Sequence, residues 1–119
     1  MIVTASTFDF TSNRSSVDDD RLRMSEANLQ TAVLELAQWF GYETYHTRDS
    51  RGSRAGFPDL VLWHGGRGRT LFVELKSQVG NVTTDQGHTL RTLAAAGNEV
   101  RVWRPSDLLA GTVEEWLRP

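Results

Sequence analysis

The stretch 56-GFPDLVLWHGGRGRTLFVELKSQ-78 decides how this chain is read. Two short apolar runs, LVLW and TLFVEL, flank a glycine-rich HGGRGR segment that reads as a turn, so the stretch predicts a hairpin. Acidic residues nevertheless stand where a buried strand carries none: Asp59 opens the first run and Glu74 lies within the second, with Lys76 two residues further on. Alternate residues of a strand share a face, so Glu74 and Lys76 point one way while Val73 and Leu75 point the other. An isolated buried carboxylate costs several kcal/mol, and two unpaired ones repel. A divalent ion removes both objections. Magnesium takes oxygen ligands at about 2.0–2.1 Å and keeps several waters, which suits Asp59, Glu74 and a strand carbonyl, that of Leu75. Such an ion lowers the pKa of a bound water and offsets the charge building on a phosphodiester. Lys76 is then expected to contact the attacked phosphate or to orient the water, and the expected chemistry is hydrolytic cleavage.

Outward from the hairpin, the chain reads as α-β-β-β-α-β with no internal repeat. Leu29, Val33, Leu36 and Phe40 recur at helical spacing after a capping Ser25 and before Gly41. A strand is predicted over Glu43–Thr47, followed by the polar loop RDSRGSRAG. Pro58 opens the next strand, where its missing N–H costs least. A second helix is expected over Thr84–Ala96 with Leu90, Leu93 and Ala94 on one face, then a strand in EVRVWRP and one or two short helices in SDLLAG and TVEEWL. Residues 1–24, rich in Ser, Thr and Asp and without a sustained period, read as a mobile arm ahead of a domain spanning 25–119.

With 119 residues, 39% hydrophobic and 24% charged, the chain suits one domain around one core. No apolar run is long enough to span a bilayer and no secretory signal opens the chain, so no membrane partner is expected and the cytosol is the expected compartment. Cysteine is absent, which excludes disulfides, thiolate metal sites and a Cys nucleophile. The net charge is −2, yet from Thr44 to Ser106 nine basic residues face five acidic ones, and nine minus five leaves +4. That segment suits a phosphate backbone, although a solvated arginine-rich surface gives the same count. Lys76 is the only lysine among thirteen basic residues. A compact ammonium differs from a guanidinium fork in geometry and in readiness to lose a proton.

The remaining candidates each have a plainer alternative. Glu26 either favours the positive end of the first helix or, one turn before Leu29 on the buried stripe, reaches a metal directly or through water. Gln86 forms a capping box with Thr83, yet four residues before Leu90 it turns toward the sheet, where it would hydrogen-bond Lys76 or the water. Gln30 is a weaker candidate of the same kind. Arg48, Arg51 and Arg54 recur every three residues and suit backbone phosphates, as does His46 before them. His64 and His88 read as surface residues, and Trp39, Trp63, Trp103 and Trp116 as core or dimer residues.

Pro58-Asp59 followed by Glu74-Leu75-Lys76 resembles the PD-(D/E)xK nuclease signature, on the restriction-endonuclease-like core of that superfamily: an α/β domain whose central mixed sheet is flanked by helices. More narrowly, Ser25–Asp107 is similar to the virus-type replication-repair nuclease family, VRR-NUC. The resemblance rests on a helical Glu before a Gly-aromatic pair (Gly41-Tyr42), a TYHTRDSR-like loop, GFPDLVL, ELKSxxG, a T-x-x-Q helix start and AGxEVxVWRP. It implies a Mg²⁺- or Mn²⁺-dependent endonuclease acting on branched or flapped DNA, four-way junctions included, in replication, repair or recombination. It also implies a homodimer in the cytoplasm of a bacterial cell or phage-infected host. The site it implies combines Asp59, Glu74 and the Leu75 carbonyl on the metal, Glu26 assisting, and Lys76 with Gln86 on water and phosphate. Two readings from other classes remain beside it: a DNA-binding module that keeps the fold without catalysis, and a protein-interaction subunit whose sheet carries salt bridges.

Overall fold

The computed structural model describes residues 19–47 and 54–119. Within them α1 (Glu26–Trp39) leads to strands β1 (Glu43–His46), β2 (Leu60–His64) and β3 (Arg69–Leu75), then α2 (Thr84–Ala95), β4 (Glu99–Trp103) and two short helices, α3 (Pro105–Leu109) and α4 (Thr112–Leu117). The expected α-β-β-β-α-β order is therefore present. The sheet runs β1-β2-β3-β4, with antiparallel β1/β2 and β2/β3 pairs and a parallel β3/β4 pair reached through α2. This is an α/β fold with a central mixed sheet flanked by helices.

Local chemistry explains the elements. Ser25 Oγ accepts from Asn28 N–H at 3.1 Å at the start of α1. Leu29, Val33 and Ala37, spaced four apart, form its buried stripe, while Leu36 and Phe40 are only partly buried against the same core. Thr83 and Gln86 close a reciprocal capping box on α2, with Thr83 N–H donating to Gln86 Oε1 at 3.0 Å and Gln86 N–H to Thr83 Oγ1 at 3.2 Å. The β2–β3 turn carries a single 3₁₀ turn, Gly65–Arg67, ended by Gly68 in the left-handed conformation.

The sheet separates two clusters. Leu60, Leu62, Leu71, Val73, Leu75 and Trp103 pack with α1 and α4 on one face, whereas Val100 packs with Leu90 and Ala94 of α2 on the other, joined by Phe72. Each fully buried leucine contributes about 1.5–3 kcal/mol through surface removed from water.

Three sequence expectations need correction. Asp20–Arg23 form a 3₁₀ turn capped by the Asp19 carboxylate, and Met24 packs against the first cluster, so the end of the predicted arm belongs to the fold; residues 1–18 lie outside the described residues. Of the core and dimer readings of Trp39, the core one is corrected: Trp39 is 83% exposed, because its place at the last turn of α1 turns it away from the Leu29–Ala37 stripe. His64 is not a surface residue: its Nδ1 accepts from Arg67 N–H at 3.2 Å and its ring meets Tyr42 edge-on at 5.3 Å.

Among the described arginines of the +4 segment, Arg67, Arg69, Arg101 and Arg104 are partly or wholly buried, while Arg54 and Arg91 are exposed. Arg67 donates to the Leu117 and Phe40 carbonyls at 2.7 and 3.1 Å. Arg69 forks onto Glu99 at 2.8 and 3.0 Å and donates to the Trp116 carbonyl. Arg101 lies over the Trp116 ring, 3.6 Å from its centroid. These contacts close α4 against the sheet, and they remove much of the expected charge from any nucleic-acid surface.

Gly56 joins the hairpin to α2. Its φ is +82°, and a Cβ there would stand 2.5 Å from the Asp85 carbonyl carbon and oxygen. Gly56→Ala combines left-handed strain with a backbone collision, and a loss of about 2 kcal/mol or more is expected. Urea denaturation of the variant beside wild type measures it.

Candidate active site

The site forms where β2 and β3 part. Their register pairs Leu60 with Val73, and its continuation sets Asp59 against Glu74 and Pro58 against Leu75. Lys76 N–H donates to the Trp103 carbonyl at 3.1 Å, on the β4 side, while Leu75 N–H points to the β2 side and donates to Asp59 Oδ2 at 2.8 Å. In an antiparallel ladder such a residue exchanges both of its backbone bonds with its partner. Pro58 has no N–H to give the Leu75 carbonyl. The Pro58 carbonyl accepts from Thr47 Oγ1 at 3.2 Å, so β2 bends toward β1 and the Asp59 side chain takes the place of the missing ladder bond. Thr47 N–H donates to the Asp59 carbonyl at 2.9 Å, which fixes the aspartate from its other side.

Glu74 is 2% exposed and Lys76 8%. Their side chains meet at 3.6 Å, from Lys76 Nζ to Glu74 Oε2. Burial and then the facing Asp59 carboxylate push the Glu74 carboxyl up to about 8, with the Lys76 ammonium opposing both. At neutral pH Glu74 is therefore held largely protonated, which relieves the repulsion noted in the sequence.

A pocket of about 330 Å³ opens beside this pair, lined by Glu26, Ala27, Gln30, His46, Thr47, Asp59 and Leu75. The first turn of α1 supplies Glu26 and Gln30, one helical turn apart, and the end of β1 supplies His46 and Thr47. The structure thus brings Asp59, Leu75, Glu26, Gln30 and His46 to one cavity, with Glu74 and Lys76 adjoining through Asp59. No group of three or more His, Asp and Glu side chains among the described residues stands close enough to hold a metal. Glu26 stands at the pocket wall and is exposed, not on the buried stripe, because it opens α1 ahead of Leu29.

Other expected residues are placed differently. The Gln86 side-chain oxygen is engaged by Thr83 N–H, and Gln86 is absent from the pocket lining, because the capping box holds it at the helix start. Arg54 is exposed, and Arg48 and Arg51 lie outside the described residues. Sequence reading missed Thr47, whose signal was available: it is the last residue of the predicted strand, beside the His46 already singled out.

A mixed sheet with a Pro-Asp and a Glu-x-Lys meeting at the parting of two antiparallel strands defines a PD-(D/E)xK-type nuclease domain with a restriction-endonuclease-like core. The VRR-NUC domain family model matches residues 10–107, and the chain belongs to this nuclease family. No curated protein and no solved structure matches the chain. Among the described residues no helix is long and apolar enough to cross a membrane.

The raised Glu74 pKa makes stability depend on pH. Folded protein keeps a proton that the unfolded chain releases near 4.5, so the stabilisation is complete below about 4.5 and is lost as pH rises toward about 8. Without divalent ions, denaturation midpoints are expected to fall between pH 5 and 8, by up to a few kcal/mol in free energy, and Glu74→Gln is expected to flatten that slope.

Proposed function

We propose that this chain is a Mg²⁺- or Mn²⁺-dependent endonuclease that hydrolyses phosphodiester bonds in branched or flapped DNA, four-way junctions among them, during replication, repair or recombination. The observation that carries this reading is the pair of facing carboxylates, Asp59 and Glu74, with Lys76 3.6 Å from Glu74 where Pro58 separates β2 from β3.

The donor set fits a hard divalent cation. Asp59, Glu74 and the Leu75 carbonyl offer oxygen alone, and Glu74 holds a proton that a cation would displace. Two carboxylates leave room for the waters that magnesium retains, and Glu26 would act from the pocket wall through one of them. When bound, the ion supplies a lowered water pKa and offsets negative charge on the phosphate. Asp59 is kept in place by Leu75 N–H. Lys76 has three donors on a compact charge, and it would donate to a phosphate oxygen or to the attacking water.

His46 and Thr47 line the cavity, and His46 would contact a phosphate of a strand entering it. Arg48, Arg51 and Arg54 would hold the DNA backbone beyond it. A second copy of the chain would extend the footprint on a branched duplex; exposed Trp39 and Tyr45, on neighbouring parts of α1 and β1, support such a homodimer. The working compartment would be the cytoplasm of a bacterial cell or phage-infected host.

A panel of labelled flaps, four-way junctions, duplexes and single strands tests the assignment. Wild type with Mg²⁺ or Mn²⁺ is expected to cut the branched members and to stop in EDTA. Lys76→Ala and Asp59→Asn are expected to lose about 100-fold or more in rate while still binding DNA. Failure of wild type to cut any member with either ion overturns the reading. Light scattering across a dilution series is expected to show a dimer that Trp39→Ala weakens.

A further inference from the structure

Arg104 lies at the junction of β4 and α3, is 2% exposed, and has no part in the chemistry described above. Its Nη1 reaches across to the segment that follows β3, donating to the Gly80 carbonyl at 2.7 Å and the Ser77 carbonyl at 2.8 Å, with the Gln78 carbonyl at 3.4 Å. A second tie joins the same two segments: Gln78, also 2% exposed, accepts at Oε1 from Ser106 N–H at 3.0 Å. Arg104 N–H donates to Asp107 Oδ2 at 2.8 Å, which anchors the arginine backbone to the first turn of α3.

Lys76 sits inside this frame. Its N–H bond to the Trp103 carbonyl sets residues 76 and 104 beside one another as β3 and β4 end. The segment then folds back over the lysine. A Cβ added at Gly80 would stand 2.9 Å from Ser77 Oγ and in ordinary contact, at 3.7 Å, with Lys76 Cδ, so the segment passes close beside the lysine stem. A lysine has four freely rotating side-chain bonds, and a single contact with Glu74 at 3.6 Å does little to restrict them. A wall against its methylenes does restrict them, provided the wall is itself fixed. Ser77–Gly80 form neither helix nor strand. A planar guanidinium pointed at their carbonyls supplies the missing rigidity.

We propose that Arg104, together with Gln78, is a positioning residue that holds Lys76 at Glu74 by clamping Ser77–Gly80 over the lysine stem. Only the catalytic consequence of this clamp rests on the nuclease reading; the clamp itself is a statement about lysine order.

Because Lys76 is the only lysine, lysine-selective ¹³C labelling of the full chain yields a single lysine side-chain spectrum. In wild type the two Hε protons are expected to be inequivalent and displaced from the free-lysine position. In Gln78→Ala and Arg104→Gln, with circular dichroism showing a folded chain, they are expected to move toward equivalence. On a cleaved DNA, kcat should fall about 10-fold for Gln78→Ala and up to about 100-fold for Arg104→Gln with KM little changed, and neither should add to the loss in Lys76→Ala. A folded variant whose lysine signal keeps its wild-type position overturns the proposal. If Arg104→Gln does not fold, Gln78→Ala decides alone. If wild type cleaves nothing, the nuclease reading falls and the lysine signal still decides the clamp.

Discussion

A single hydrogen bond, from Leu75 N–H to Asp59 Oδ2, marks where regular sheet gives way to chemistry. Proline at 58 cannot continue the β2/β3 ladder as a donor, and its carbonyl is drawn to Thr47 on the other side. The aspartate side chain completes what the backbone no longer can. That substitution fixes Asp59, directs it to face Glu74 and leaves the Leu75 carbonyl without the donor its register would have supplied. A strand end that stops pairing in this way sets two carboxylates face to face without any loop being folded for the purpose.

The same geometry creates an electrostatic conflict that the fold tolerates. Two carboxylates face each other near the sheet end, one of them almost wholly buried, and the cation beside them, at 3.6 Å, offsets only part of the cost. Protonation of Glu74 near neutral pH is the least costly resolution open to the protein on its own. Perturbed acids gather at sites that bind charge, because a structural core gains nothing from keeping such a pair. The rest of the molecule is arranged to bear it: leucines of the α1-side cluster anchor both strands, and the Arg67 and Arg69 contacts fasten α4 to the opposite end of the hairpin.

What was legible in the sequence was whatever depends on short spacing. The alternation around Val73–Lys76, the glycine turn before Arg69, the Ser25 cap and the Thr83–Gln86 box are all decided within a few residues, and each predicted element stands within a residue or two of its place. The conflict between Asp59 and Glu74 was also visible, since apolar flanks imply burial. Decisions taken between distant segments were not visible. Nothing local says that Trp39 faces solvent, that Thr47 walls the pocket, or that Met24 reaches the core. Gln86 shows the ambiguity directly: its spacing from Leu90 and its spacing from Thr83 gave two readings, and the capping bond at 3.0 Å is the contact observed.

The arginine count misled for a reason that also explains the lone lysine. Arg67 and Arg104 each donate to more than one backbone carbonyl, Arg69 joins a carboxylate fork to a carbonyl, and Arg101 lies flat on an indole. The Arg67 and Arg69 contacts use the several fixed donors of a guanidinium and the Arg101 contact uses its planar face, while Arg104 reaches its carbonyls from Nη1 alone. Counting them as free positive charge treats structural fasteners as a binding surface. At position 76 the requirement is reversed: a slender charge passes close beside Gly80 and ends next to a buried acid. A guanidinium there would carry a bulkier head and donors aimed in fixed directions. Arg67, Arg69, Arg101 and Arg104 thus differ from Lys76 in one respect, as charges that hold the fold together beside one held in place by it.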